Sequence, residues 1–382
     1  MTRRFRFGFS FVLILSSVYG VYGQSLQDKD KWPNAAVKYL RADASLRQSY
    51  PLTTDAWLSL ESALTQPLTP EDEKLVTSAD EALTEFEHGA DIERCDWEPS
   101  VQDGPSANTA HRGAVRELVA VAELRARMRF RDRQNQRAIE DVLAGYTAAR
   151  HLSLDGSIAS VLFGYRVEAE VSGVLEKSLN SLQPHELVQL DSGLLRLPSG
   201  SSMQDALESE KVDRNDLWAV VRRATSRDDL IRHMVKEIPF LKGDEKKAAE
   251  VVDGCGGSVA GVMDCIEKQG AFYGKWVSRF SLSPEQFQEQ YQTDLAQASL
   301  GNPVIALFTP SLPQLRWAEA YNATRRALIR AAVAVKRGGA EQLAHVRDPY
   351  DGRAFGYSRL PSGFKLESRL RQNGTPLSVS IY

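Results

Sequence analysis

The chain has 382 residues, of which 42% are hydrophobic and 25% charged, a globular composition that fits neither a disordered polar chain nor a membrane-spanning one. Its formal charge of −3 supplies no basic footprint for nucleic acid. The length exceeds the usual single core, so an elongated helical body or two lobes is expected.

The first residues, MTRRFRFGFSFVLILSSVYGVYGQS, place Arg3, Arg4 and Arg6 ahead of an apolar run from Phe7 to Val18 and small residues at a cut after Gly23 or Gly20. This is the pattern of a secretory signal peptide, assigned to 1–23. The apolar run is shorter than the roughly 20 residues a spanning helix needs, so no integral membrane insertion is expected after cleavage. An exported protein, periplasmic or extracellular, is the expectation. Losing the three arginines takes the formal charge from −3 to −6.

From there the sequence reads as helix after helix, with a first helical lobe over 24–197. Residues 34–43 open it as a short helix, and 53–66 predicts a second. In TPEDEKLVTSADEALTEFEHG, Thr69 is placed to cap, Pro70 takes the first helical position, Asp72 and Glu73 favour the positive end of the dipole, and Gly89 closes the helix. Three long amphipathic helices follow. The first runs over 112–130 with Val115, Leu118, Val119, Ala122 and Met128 inward. The next covers 135–152 with Ala138, Val142, Tyr146 and Ala149 on one stripe. The third covers 157–179 with Val161, Tyr165, Val171 and Val174 inward. Short connections between them predict antiparallel hairpins. Ala138, Val142 and Gly145 fall near second-helix positions of a tetratricopeptide unit, but no clean period recurs. The fold class expected is mainly α, an irregular, solenoid-like and weakly TPR-like layer of helical hairpins with a small C-terminal β-hairpin.

Pro184 starts a further helix, and LPSGSS, whose residues 198–202 are rich in Gly, Ser and Pro, marks a hinge before a second helical lobe over 203–340. That helical lobe holds the stretch MQDALESEKVDRNDLWAVVRRA at 203–224, a charged segment at 242–250 and a helix after Ser258. A helix capped by Ser283 with Pro284 and Gln286 follows, and a last long one spans 313–336, stopped by Gly338 and Gly339. Residues 346–382 are expected to form a β-hairpin clasp and tail. Asp348-Pro349 begins a turn that Gly352 ends, Phe355 and Tyr357 alternate with polar residues, 360–363 reverses the chain, and Phe364, Leu366 and Leu370 alternate again. A lone hairpin is marginal in water, so one face must lie against the helices.

Three cysteines remain: Cys95, Cys255 and Cys265. Export favours pairing, and CGGSVAGVMDC invites a Cys255–Cys265 bridge. A helix starting at Ser258 opposes it, because it carries Cys265 about two turns away from Cys255. Both outcomes stand open. Cys95 reads as a buried thiol.

The segment DPYDGRAFGYSR followed by GFKL resembles the closing motif of an uncharacterised family of exported, mainly helical bacterial proteins. Other stretches agree in order: NAAVKYLRA; Cys95 and Trp97 followed by Gly104; ELVAVAELRARMRF leading to AIEDVLAGYTAARHL; SLQPHELVQL followed by Leu197-Pro198; and ALESEK at 206–211. The resemblance implies a helical exported protein and brings no activity with it.

Catalytic and metal signatures are not found. The six histidines, His88, His111, His151, His185, His233 and His345, are scattered and none forms HExxH, so no metal site and no cofactor is expected. Ser258 misses the G-x-S-x-G elbow and is better explained as a helix cap. The acidic cluster Glu71, Asp72, Glu73, Asp80, Glu81, Glu85 and Glu87 reads as a solvated, dipole-favoured helix face before it reads as paired glycosidase acids. Asn322 and Asn373 match glycosylation acceptors. Two functions are carried forward: a non-enzymatic interaction or scaffold protein of the cell envelope, binding a protein or peptide, and a hydrolase of an envelope or extracellular polymer. No catalytic residue is assigned to either.

Overall fold

A computed structural model describes residues 33–50, 60, 63–97, 110–213, 215–238, 241–372 and 374–382. The 1–23 segment, most of the 53–66 stretch and the loop at 103–105 lie outside the described residues.

The body is helical, as expected. Helix α1 (Ala35–Ser49) starts where the Asn34 side chain accepts from the Ala36 N–H. The signal at Thr69 is read correctly: Thr69 and Asp72 form a reciprocal capping box ahead of Pro70. The helix it starts is two pieces, α2 (Pro70–Ser78) and α3 (Asp80–Ala90), broken at buried Ala79. Gly89 does not end α3; it lies inside the last turn, where a Cβ would stand 2.8 Å from the Tyr39 ring. Next come α4 (Ala110–Arg131), α5 (Asn135–Ser153) and α6 (Ile158–Ser178), the last capped by Ser157. Their pairwise packing is that of the expected antiparallel hairpins. Helix α7 (Pro184–Arg196) completes the first layer.

The stretch 203–224 holds two helices, α8 (Met203–Asp213) and α9 (Asn215–Arg223). Then follow α10 (Arg227–Glu237), α11 (Glu245–Gly254) in the charged segment, α12 (Val259–Val277), α13 (Pro284–Ala298), the short α14 (Pro303–Phe308) and the 27-residue α15 (Leu312–Gly338). Ser258 and Ser283 cap as the sequence indicates, accepting from the Gly261 and Gln286 N–H groups. Gly339, at φ 88°, stops α15.

Hydrophobic cores do not follow the division at 198–202. Most of the first core comes from α1–α7, yet Ala320, Leu328, Ile329, Ala332 and Val333 of α15 belong to it. A second core gathers α9–α11, the start of α12 and Val304. The third joins α8, the end of α12, α13 and Leu312 to Val161 of α6. An amphipathic stripe specifies that a face is buried, not which lobe buries it, so the last helix could not be assigned to the first core from its pattern.

The C-terminal hairpin is one part of a three-stranded antiparallel sheet. Strands β1 (Gly356–Leu360), β2 (Gly363–Gln372) and β3 (Thr375–Ile381) lie in that order, and the tail expected to follow the hairpin is β3. Leu366, Leu370, Val379 and Ile381 are buried against the first core, while Tyr357 on β1 is 40% exposed. The Asp-Pro turn is hooked to the sheet. Asp348 accepts from the Tyr350 N–H at 2.9 Å and from the Ser368 hydroxyl at 2.5 Å, at the irregularity in β2 pairing between Glu367 and Arg371.

Candidate functional site

A cleft of about 340 Å³ opens where the first helical layer meets α15. Each wall arises from a local cause. The last turns of α5 supply Arg150 and Ser153. Gly164, Tyr165 and Glu168 share one face of α6, and Arg316, Glu319, Ala320, Ala323 and Arg326 recur at helical spacing on α15. The 200–202 segment and Pro349-Tyr350 of the Asp-Pro turn close the sides. Glycine sets the floor: α6 comes so near α5 that a Cβ on Gly164 would lie 2.6 Å from the Ala149 carbonyl oxygen.

The charges of the cleft are wired together. Glu168, with a side chain only 3% exposed, accepts from Arg150 Nε at 3.0 Å and Asn322 Nδ2 at 2.8 Å, with an Arg326 guanidinium nitrogen at 3.4 Å. Arg150 also donates to the Pro198 carbonyl at 2.7 Å, and Ser153 Oγ accepts from the Ser201 N–H at 2.9 Å. The expected hinge at 198–202 is therefore strapped to α5. Glu319 accepts from the Met203 N–H at 3.2 Å and pairs with Arg316 at 3.4 Å. Burial pushes the Glu319 carboxyl up and the Arg316 guanidinium down. Burial likewise raises the Tyr165 hydroxyl, and Tyr350 is pushed up to about 12 by burial and by its hydrogen bond with Glu285. Three guanidiniums face two carboxylates in this lining, leaving one net positive charge.

Behind Arg150 lies a polar aromatic nest. Tyr39 Oη and His151 Nδ1 are 2.9 Å apart, and the Trp97 indole donates to the His151 carbonyl at 2.6 Å. Trp97 stacks on Tyr39 and on His111, which pairs with Asp155 at 3.2 Å. Burial holds His151 down at about 4. Asp155 is pushed up by burial, but hydrogen bonds from His111, Ser160 and Ser157 outweigh that and hold it at about 2. Ser160 and Arg112 converge on the same carboxylate. The serine hydroxyl donates to Asp155 and not to a histidine, so this cluster fastens the start of α6 and is no nucleophile-base pair.

Residues singled out in the sequence fall elsewhere. Cys255 and Cys265 are buried free thiols in the second core and do not line the cleft, and Cys95 is a third buried free thiol beside the aromatic nest. Of the acidic cluster, Asp72 is spent on the cap, while Glu73, Glu85 and Glu87 pair with Arg131, Lys38 and Arg125. Asn322 is 2% exposed and bonded to Glu168, so it is no glycan acceptor in the folded chain. Among the described residues no group of three or more His, Cys, Asp or Glu is arranged to hold a metal ion, and no helix is long and apolar enough to cross a membrane. The charges of the cleft belong to no catalytic or metal motif in the sequence. Their signal is a lone acid inside an apolar stripe, Glu168 among Val161, Val167, Val171 and Val174, and not a run of acids.

Comparison with protein-family models, with curated proteins and with solved structures yields no match to this chain.

Proposed function

We propose that this chain is an exported, non-enzymatic binding protein of the bacterial envelope, and that the cleft between α5, α6 and α15 receives an acidic side chain or chain terminus of a partner polypeptide. One observation carries the reading: both cleft carboxylates are engaged by guanidiniums, and the lining retains an excess positive charge. An occupant that completes the charge balance is anionic, and a carboxylate matches the fork of an arginine. The volume lies at the small end for ligand sites, enough for a side chain or terminal group. Segments behind the family resemblance meet here: AARHL supplies Arg150, the stretch after Leu197-Pro198 supplies Ser201, and DPYDG supplies Tyr350. The membership in that exported family and the 1–23 signal peptide remain part of this proposal.

Capture from an envelope extract on immobilised protein, repeated with Arg326→Glu, tests it. A partner retained by the native chain and lost by the variant supports the reading. Equal retention by both, or no retained partner, removes it.

A polymer hydrolase is the second reading. Glu319, its carboxyl raised by burial, shares the cleft with Glu168 and with the aromatic Tyr165 and Tyr350, and paired acids are what glycoside cleavage uses. Release of reducing ends from envelope glycan, abolished by Glu319→Gln, distinguishes it from binding alone.

A further inference from the structure

We propose that Cys255 and Cys265 are a disulfide site, closed by an external disulfide oxidant while the chain folds and sealed from that oxidant once folding is complete. The inference rests on the geometry of the α11–α12 corner and is independent of the cleft.

Nine residues lie between the two cysteines, and a helix capped by Ser258 would by itself carry them apart; the corner defeats that separation. Cys255 caps α11, and Gly256 and Gly257 follow in the left-handed region, at φ 85° and 68°. Two consecutive positive φ angles turn the chain back on itself, a path open to glycine. The Gly257 N–H closes the turn on the Val252 carbonyl at 2.9 Å. Cys255 is thereby laid on α12. A Cβ built on Gly261 would fall 1.9 Å from the Cys255 carbonyl oxygen, so only glycine permits the approach. Gly261 and Cys265 are four residues apart on one helix, hence on one face. Cys255 therefore sits at the head of the stripe that holds Cys265, and both side chains lie in the same buried cluster.

Both thiols are sealed: Cys255 is 7% and Cys265 5% exposed, packed among Val251, Val252, Val262 and Val304. Burial and the neighbouring thiol push Cys255 well up, which leaves little thiolate, the form that attacks a disulfide. Folded, reduced protein is thus a poor substrate for an oxidant, whereas the unfolded corner is an open one. In the reaction, a sulfur–sulfur bond forms between Cys255 and Cys265 as one breaks in the oxidant. The two cysteines release two protons and two electrons, and oxidised glutathione departs as two thiols.

The test uses the chain from residue 24, reduced and unfolded, then refolded with and without oxidised glutathione and alkylated in denaturant. Both cysteines lie on the one tryptic peptide 248–268. After oxidative refolding this peptide is expected two hydrogen atoms lighter and unlabelled, with Cys95 alkylated. Protein folded in the reduced state and then given the same oxidant should acquire the bridge at least about tenfold more slowly. Cys95→Ser must give the same bridge. The double variant Cys255→Ser, Cys265→Ser should melt like the reduced protein and below the oxidised one. Three alkylated cysteines after oxidative refolding, a bridge through Cys95, stable glutathione adducts, or equal oxidation rates in the folded and unfolded protein would each overturn the proposal.

Discussion

Asn322 Nδ2 donates to Glu168 Oε2 at 2.8 Å across 154 residues of sequence. That bond joins the last long helix to the first helical layer at the back of the cleft. Glu168 is the shared acceptor for Asn322 and Arg150, and Arg150 in turn holds the 197–198 carbonyls. Glu168→Ala removes the counter-charge from a largely buried guanidinium and is expected to cost about 3 kcal/mol. Glu168→Gln keeps an acceptor for Asn322 and should cost about half of that. Urea midpoints of the two variants check the order; equal, negligible losses would mean the wiring is incidental.

His151 sets an acid limit on stability. It is fully buried, and burial lowers it to about 4 from an ordinary 6.5. Between those values the unfolded chain binds the proton and the folded chain does not. The stabilisation is complete above about pH 6.5 and is lost as pH falls toward 4, by at most about 3 kcal/mol. His151→Gln retains an acceptor for the Tyr39 hydroxyl and removes the titration. Its stability curve should be flatter than that of the native chain between pH 6.5 and 4. Parallel curves would exclude this role.

Glu123 acts in the opposite direction. Its side chain is buried, Oε1 has no partner, and burial and nearby Glu170 raise its carboxyl well above the ordinary value. The folded state then holds a proton that the unfolded state releases, so this residue withdraws stability as pH rises above about 4.3. Glu123→Gln should raise the melting temperature at pH 7, by about 1 to 2 kcal/mol in stability, and change little at pH 4. A thermal shift series over that range decides it.

How much of this was legible depends on whether the cause was local. Caps were readable because a Ser or Thr side chain meets an N–H three residues away, as at Thr69, Ser258 and Ser283. The break at Ala79 was not, since alanine carries no stop signal and the division follows from different partners: α2 packs on α4, and α3 on α1. Strand β3 left a signal that went unread, Leu377, Val379 and Ile381 alternating with serines after an Asn-Gly pair. The cleft was illegible for a deeper reason. Arg150, Glu168, Glu319 and Tyr350 come together only through tertiary packing, and none belongs to a motif with fixed spacing.

Gly164 and Gly173 separate close packing from helix propensity within one helix. Both lie in α6, where glycine costs about 1 kcal/mol relative to alanine on backbone entropy alone. At Gly173 a Cβ meets nothing within 4 Å, so Gly173→Ala should be neutral or stabilise by up to about 1 kcal/mol. At Gly164 the same methyl would press on the Ala149 carbonyl at 2.6 Å, and backbone cannot yield as a side-chain tip can. Gly164→Ala is therefore expected to prise α6 from α5 and destabilise the chain by about 2 kcal/mol. Because Gly164 and Ala149 both line the cleft, it should also weaken capture of an acidic partner, which Gly173→Ala should leave unchanged. Paired melts and paired binding assays give four readings. If the two alanine variants behave alike, the intimate α5–α6 contact does not shape this site.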